Sequence, residues 1–190
     1  MADSEIPKPD PFANIPPEDL EIVRAQVEAN LDEADKDLTL VLGLKSLGME
    51  QDFIDEAIDL ASQMLAQGLP EKAFKYCVGL VQYEPLDYRI YQLMGVIQHT
   101  LKRHSLALAL YHAAIGVNEK DGLSHLYAGE CLLHLERRDE GFAELRTGID
   151  LLKRDPSKAM YVKRGENVLA IQTTASQAPA TPAGGAPAKK

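Results

Sequence analysis

The sequence predicts an all-α protein made of stacked helix–turn–helix units. Three observations lead there. Apolar residues recur at steps of three and four through most of the chain, and no β-branched alternation persists. Turn-forming stretches return at a regular interval, and small residues return at a fixed step of 34. Aromatics make up only 6% of the 190 residues and Trp is absent, so the core must come from Leu, Ile, Val, Met and Ala, which suit helix packing.

Residues 1–17 hold five prolines and few apolar side chains, and are expected to form a flexible leader. Pro17 followed by "EDLEIV" is a helix start, with Pro in the first turn and acids near the positive end of the dipole. The helix is expected from about Glu18 to Leu42, with Leu20, Val23, Val27, Leu31, Ala34, Leu38 and Leu42 on one face. "GLKSLG" (Gly43–Gly48) breaks it, which sets an N-terminal helical segment at 18–48.

Beyond it the step of 34 places Ala61, Gly95 and Gly129 in register, and likewise Ala73, Ala107 and Gly141, and Leu80, Ala114 and Gly148. Cys77, Tyr111 and Leu145 form a bulkier set. Small residues at these spacings let two antiparallel helices cross closely, and the bulky set fills the space beside them. "GVIQHTLKRHSLALALYHAAIGV" (Gly95–Val117) therefore reads as the end of one helix, a turn at Lys102–His104, and a second helix capped by Ser105. "AQGLPEKA", "LKRHSLA" and "LERRDEGFA" precede the second helix of each unit; "EPLD", "EKDG" and "KRDP" separate units. This is the tetratricopeptide pattern. Units fall at 54–87, 88–121 and 122–155, stacked as a short right-handed solenoid. A capping helix is expected within 156–172, at about Ser157–Ile171, and a disordered Ala/Pro-rich tail at 173–190.

In such a solenoid the first helix of each unit lines the concave face, through positions 2, 5, 9 and 12 of the unit. These are Asp55, Ile58, Ser62 and Leu65; then Arg89, Gln92, Val96 and His99; then Leu123, Leu126, Glu130 and Leu133. Half of that surface is apolar, which is unfavourable in water unless something covers it, and the polar remainder suits hydrogen bonds to an extended peptide backbone. The Lys/Asn/Arg clamp with which some tetratricopeptide cochaperones grip a carboxylate-ended tail is missing, because Ile58, Ser62, Leu123 and Tyr127 stand at its positions. Tyr83, Tyr88 and Tyr91 fall either on the groove wall or in packing between units.

The stretches "LYAGECLLHLERRDEGFAEL" (126–145) and "YRIYQLMGVIQHTLKRHSLALALYHAAIGVNEKDG" (88–122) resemble the class II, or translocator, chaperones of bacterial type III secretion. The resemblance covers about residues 30–155. It departs at the first inner helix, where the family often has aromatics and this chain has Ile58, Ser62 and Leu65. The resemblance implies a non-enzymatic chaperone that holds an extended N-terminal segment of a hydrophobic, pore-forming translocator in its groove and keeps it soluble for secretion. It implies anchor pockets at Ile58, Leu65, Val96, Leu126 and Leu133, and a homodimer formed through the N-terminal helix. A pre-extended, proline-containing segment would lose little conformational entropy on docking. A generic tetratricopeptide adaptor or regulator of a bacterial assembly is the alternative.

Composition narrows the other classes. The net charge is −9, and residues 1–60 carry 16 acids against 4 bases, which argues against a nucleic-acid footprint. No apolar run nears the roughly 20 residues needed to span a bilayer, and the N-terminus lacks a signal-peptide pattern, so direct membrane insertion is not expected and a cytoplasmic location is, in a bacterium as the resemblance implies. Cys77 and Cys131 sit at helix-packing positions as free thiols. Among five histidines, His99 and His104 are five apart and His125 and His134 nine apart; neither spacing places two ligands one helical turn apart, and no metal is expected. No phosphate loop or nucleophile elbow occurs, and neither an enzyme nor a cofactor is expected.

Overall fold

The computed structural model describes residues 50–177 and, upstream, only Pro17, Glu21 and Ala25, which are helical. The rest of the helix expected at 18–42 lies outside the described residues, as do 1–16 and 178–190. Residues 50–177 form seven α-helices and no strand: α1 (Glu50–Ala66), α2 (Pro70–Tyr83), α3 (Tyr88–Thr100), α4 (His104–Val117), α5 (Gly122–His134), α6 (Arg138–Leu152) and, after a 3-10 turn at Pro156–Lys158, α7 (Ala159–Gln177). Sequential helices pack on one another, α1 also touches α3, and α5 also touches α7. The result is a tetratricopeptide-type helical solenoid.

The repeat is written into the turns as well as the helices. Gly68, Lys102 and Glu136, each 34 residues from the next, all take left-handed backbone with φ of 78°, 61° and 62°. Each turn closes with the same pair of bonds. The N–H groups of Leu69, Arg103 and Arg137 donate to carbonyls five residues back, and those of Gly68, Lys102 and Glu136 to carbonyls three back. This is a Schellman closure, which satisfies the orphaned carbonyls at a helix end. Glycine meets its φ requirement in the first turn; Lys102 and Glu136 meet it against a steric cost of about 1–2 kcal/mol each.

The turns between units repeat too. The side chains of Asp87, Asp121 and Asp155 accept hydrogen bonds from the backbone N–H of Arg89, Ser124 and Ser157, capping the next element. The second helices have no such cap. Ser105 was expected to cap α4; it lies inside the helix, which begins at His104 after Arg103 and has no side-chain cap. The Schellman closure brings the chain into helical conformation two residues earlier than the Ser signal suggests.

Small residues do what their register implies. A Cβ on Gly95 would come within 2.6 Å of the Tyr111 ring, so α3 and α4 pack with the phenol lying against the glycine. In the third unit the backbones themselves meet. A Cβ on Gly148 would lie 2.7 Å from the Leu126 backbone nitrogen, and one on Gly129 would lie 2.9 Å from the Gly141 carbonyl oxygen. That is why Gly141 and Gly148 replace the alanines usual at these positions. Tyr91 is core, its hydroxyl donating to the Pro85 carbonyl at 3.0 Å, and Tyr88 packs half-buried against the same cluster, so both belong to packing between units.

α7 runs six residues past the expected end at Ile171. The residues there are Gln, Thr, Ala and Ser, none of which breaks a helix, and the first proline comes at Pro179.

Candidate functional site

The first helices of successive units, α1, α3 and α5, stand in a row, and α7 extends it on the far side of α5. Neighbours in the row are stitched by polar bridges. Arg89 reaches from α3 to Asp55 of α1 at 2.6 Å while also bonding Asp87. Gln92 of α3 donates to Asp121 and lies 3.4 Å from the Ser124 hydroxyl at the start of α5. Arg164 of α7 forms a two-pronged pair with Glu130 of α5, at 2.7 and 2.6 Å. Both Arg89 and Arg164 are held protonated by the carboxylates they meet. Three of the polar residues expected to face a peptide, Arg89, Gln92 and Glu130, therefore have side-chain partners within the row.

Two adjoining pockets open where the row meets α7. One, of about 360 Å³, is lined by Val96, His99 and Thr100 of α3, Lys102 of the turn, Tyr111 of α4, Tyr127 of α5 and Arg164. The other, of about 290 Å³, is lined by Glu130, Leu133 and His134 of α5 and by Arg164, Val168, Ile171 and Gln172 of α7. Arg164 lines both, so the Arg164–Glu130 pair is the partition between them. Volumes at the low end of the small-ligand range suit single side chains rather than a whole cofactor.

The aromatic wall of the first pocket is preorganised. Tyr111 and Tyr127 stack at 5.6 Å, and the Arg164 guanidinium lies 5.3 Å from the Tyr127 ring centre. Tyr111 is fully buried, burial raises its phenol well above its ordinary pKa, and its hydroxyl has no partner among the described residues. Such a buried donor costs about 1–3 kcal/mol unless something bonds it.

The predicted groove residues fall into three sets. Val96, His99 and Leu133 line the pockets, and Glu130 lines one from its buried ion pair. Ile58, Leu65 and Leu123 are half-buried against core clusters, and the exposed Ser62 hydroxyl donates to the Ile58 carbonyl of its own helix. Leu126 is a correction. It is 0% exposed, packed with Leu145, Ile149 and Leu152, and a Cβ on Gly165 of α7 would come within 2.8 Å of it. It cannot serve as an anchor pocket open to a ligand, because α7 closes over it as a further unit's first helix would. Tyr111, Arg164 and Val168 were not singled out as groove residues. The missed signal was the same step of 34, carried once more from Glu130 to Arg164.

Both thiols are inert, since burial pushes Cys77 and Cys131 up to about 12. The histidines differ from their expected isolation. Burial would lower the pKa of His125, but its 2.6 Å contact with Glu144 raises it, tying α5 to α6. His99, His104 and His134 come together from three helices.

No protein-family model matches the chain, and no curated protein matches it in sequence. Solved structures do match in fold. SycD, the type III secretion translocator chaperone of Yersinia enterocolitica, crystallised as an alternative dimer, is 20% identical over 67% of this chain and 97% of its own, with a TM-score of 0.63. SycD in complex with a peptide of the translocator YopD is 20% identical over 67% and 98%, with a TM-score of 0.62. PcrH of Pseudomonas aeruginosa, in complex with the chaperone binding region of PopD, is 19% identical over 68% and 97%, also with a TM-score of 0.62. The class defined by fold and site is thus a tetratricopeptide-type solenoid with side-chain-sized pockets on its inner row. Among the structures it resembles in fold are type III secretion translocator chaperones. No described helix is long and apolar enough to cross a membrane.

Proposed function

We propose that this protein is a non-enzymatic chaperone of a bacterial type III secretion system. It binds an extended N-terminal segment of a hydrophobic translocator along the inner helices and keeps that translocator soluble in the cytoplasm until export. The observation that carries the reading is the pair of adjoining pockets at Val96, Tyr111, Tyr127, Arg164, Leu133 and Val168, on a fold shared with proteins crystallised with YopD and PopD segments. An extended chain places alternate side chains on one side, so neighbouring anchors fill neighbouring pockets. Each anchor buried there contributes about 1.5–3 kcal/mol before ordering costs. Ile58, Ser62, Leu65 and Leu123 extend the same wall, and Arg89 and Gln92 stiffen it through their bridges. A homodimer is part of the reading, supported by the SycD dimer, and the amphipathic pattern of segment 18–48 suits it to the interface.

Co-expression tests it. The client to use is a type III secretion translocator with long apolar segments from the same organism. Val96→Glu combined with Leu133→Glu is expected to send that client into the insoluble fraction, with the chaperone's helical circular dichroism unchanged. A client that stays soluble with the doubly substituted, folded chaperone overturns the reading.

A further inference from the structure

Three imidazoles meet at the end of the inner row where the first pocket opens. His99 ends α3, His104 begins α4 after the left-handed Lys102 turn, and His134 ends α5. Their ligating atoms all lie within 4.8 Å of one another. The His104 and His134 rings stack at 4.2 Å, and His99 stands edge-on to both, at 5.3 and 6.2 Å. Two features set this cluster apart from casual packing. The Nδ1 of His104 is buried without a partner among the described residues, and the Sγ of Cys131 lies 4.0 Å from the Nδ1 of His99. That second contact is the kind of outer-shell support that fixes which ring nitrogen is left for a ligand.

We infer that His99, His104 and His134 form a binding site for one imidazole-preferring divalent transition-metal ion, with zinc the first choice. Neutral imidazole is the ligating form, and burial already lowers the pKa of His99 and His104. A set of three nitrogens without a carboxylate favours zinc, cobalt, nickel or copper over magnesium, calcium or manganese. Zinc–nitrogen bonds of about 2.0–2.1 Å put tetrahedral nitrogens roughly 3.4 Å apart, so the rings close in by at most about 1.4 Å. The stacked pair must turn from parallel to converging. His134 is exposed and free to make that turn, while His99 and His104 are half-buried. Three protein ligands leave the fourth position of a tetrahedral ion for water. Lys102 and Arg164 oppose the ion's charge and Glu130 favours it, which points to micromolar rather than tighter binding. The site does not depend on the chaperone reading.

The test uses the full-length, untagged protein stripped with a chelator. Titration calorimetry with zinc chloride is expected to show one ion per chain at micromolar affinity. Cobalt(II) is expected to give the visible absorption of a four-coordinate, nitrogen-rich site. His134→Ala and His104→Ala are each expected to weaken zinc binding by about tenfold or more, with unchanged circular dichroism. Absence of one-to-one binding by the wild-type chain at millimolar zinc overturns the inference. So does binding that survives in a folded His104→Ala/His134→Ala double variant. Should that double variant fail to fold, the wild-type cobalt spectrum decides, and a six-coordinate spectrum overturns the site.

Discussion

The first and third units carry the same repeat and put it to different uses. In the first, Ile58 and Leu65 are half-buried and Leu60 is 42% exposed. In the third, the position equivalent to Ile58 is Leu126, which is fully buried, and Glu130 is 7% exposed beneath its partner Arg164. Two causes separate them. The glycines at 122, 129, 141 and 148 let α5 and α6 approach backbone to backbone, and α7 closes over the exposed edge of α5. A register position thus determines which way a side chain points, whereas its neighbours determine whether a ligand can reach it. The open surface is consequently concentrated between the units, where α3, α5 and α7 leave pockets around Tyr127 and Arg164.

That contrast can be broken by substitution, and the largest effect is expected at Leu126. Leu126→Ala should cost about 3 kcal/mol of stability, because a fully buried leucine leaves a cavity that α7 cannot collapse into. Leu65→Ala, on the half-buried wall of the first unit, should cost about 1 kcal/mol. Chemical denaturation midpoints check the pair; equal losses would mean that the two units are covered alike. Gly148→Ala comes next, at about 2 kcal/mol, since its methyl would meet the Leu126 backbone and force α5 and α6 apart. At the same register in the first unit stands Leu80, whose full side chain is accommodated in the core, so close approach of backbones belongs to the third unit. The smallest effect is expected in the turns. Lys102→Gly should stabilise by about 0.5 kcal/mol, the relief of left-handed strain exceeding the added chain entropy. A small rise in melting temperature is the readout, and a fall would show that the Lys102 side chain contributes more than its backbone strain costs.

Much of this was legible in the chain. A step of 34 predicted helix pairs, their small-residue crossings and the turns between them, because close helix crossings demand Gly or Ala wherever they occur. It also directed Val96, His99 and Leu133 to the inner row. The polar groove residues were harder to read. The partners of Arg89, Gln92 and Glu130, namely Asp55, Asp121 and Arg164, sit 29 to 34 residues away, and such pairing depends on the rise from one unit to the next. The convergence of the histidines was missed for a related reason. A search for pairs one turn apart on a single helix cannot find three imidazoles that arrive from three helices.

The sequence by itself determined the all-α class and the repeat, since periodicity and side-chain size act locally and recur. Only the tertiary structure decided that α7 buries Leu126, that Arg164 divides the inner surface into two pockets and that His99, His104 and His134 converge. Those outcomes depend on how far separate helices slide and tilt against each other, and that is settled by the sum of all their packing contacts rather than by any one segment.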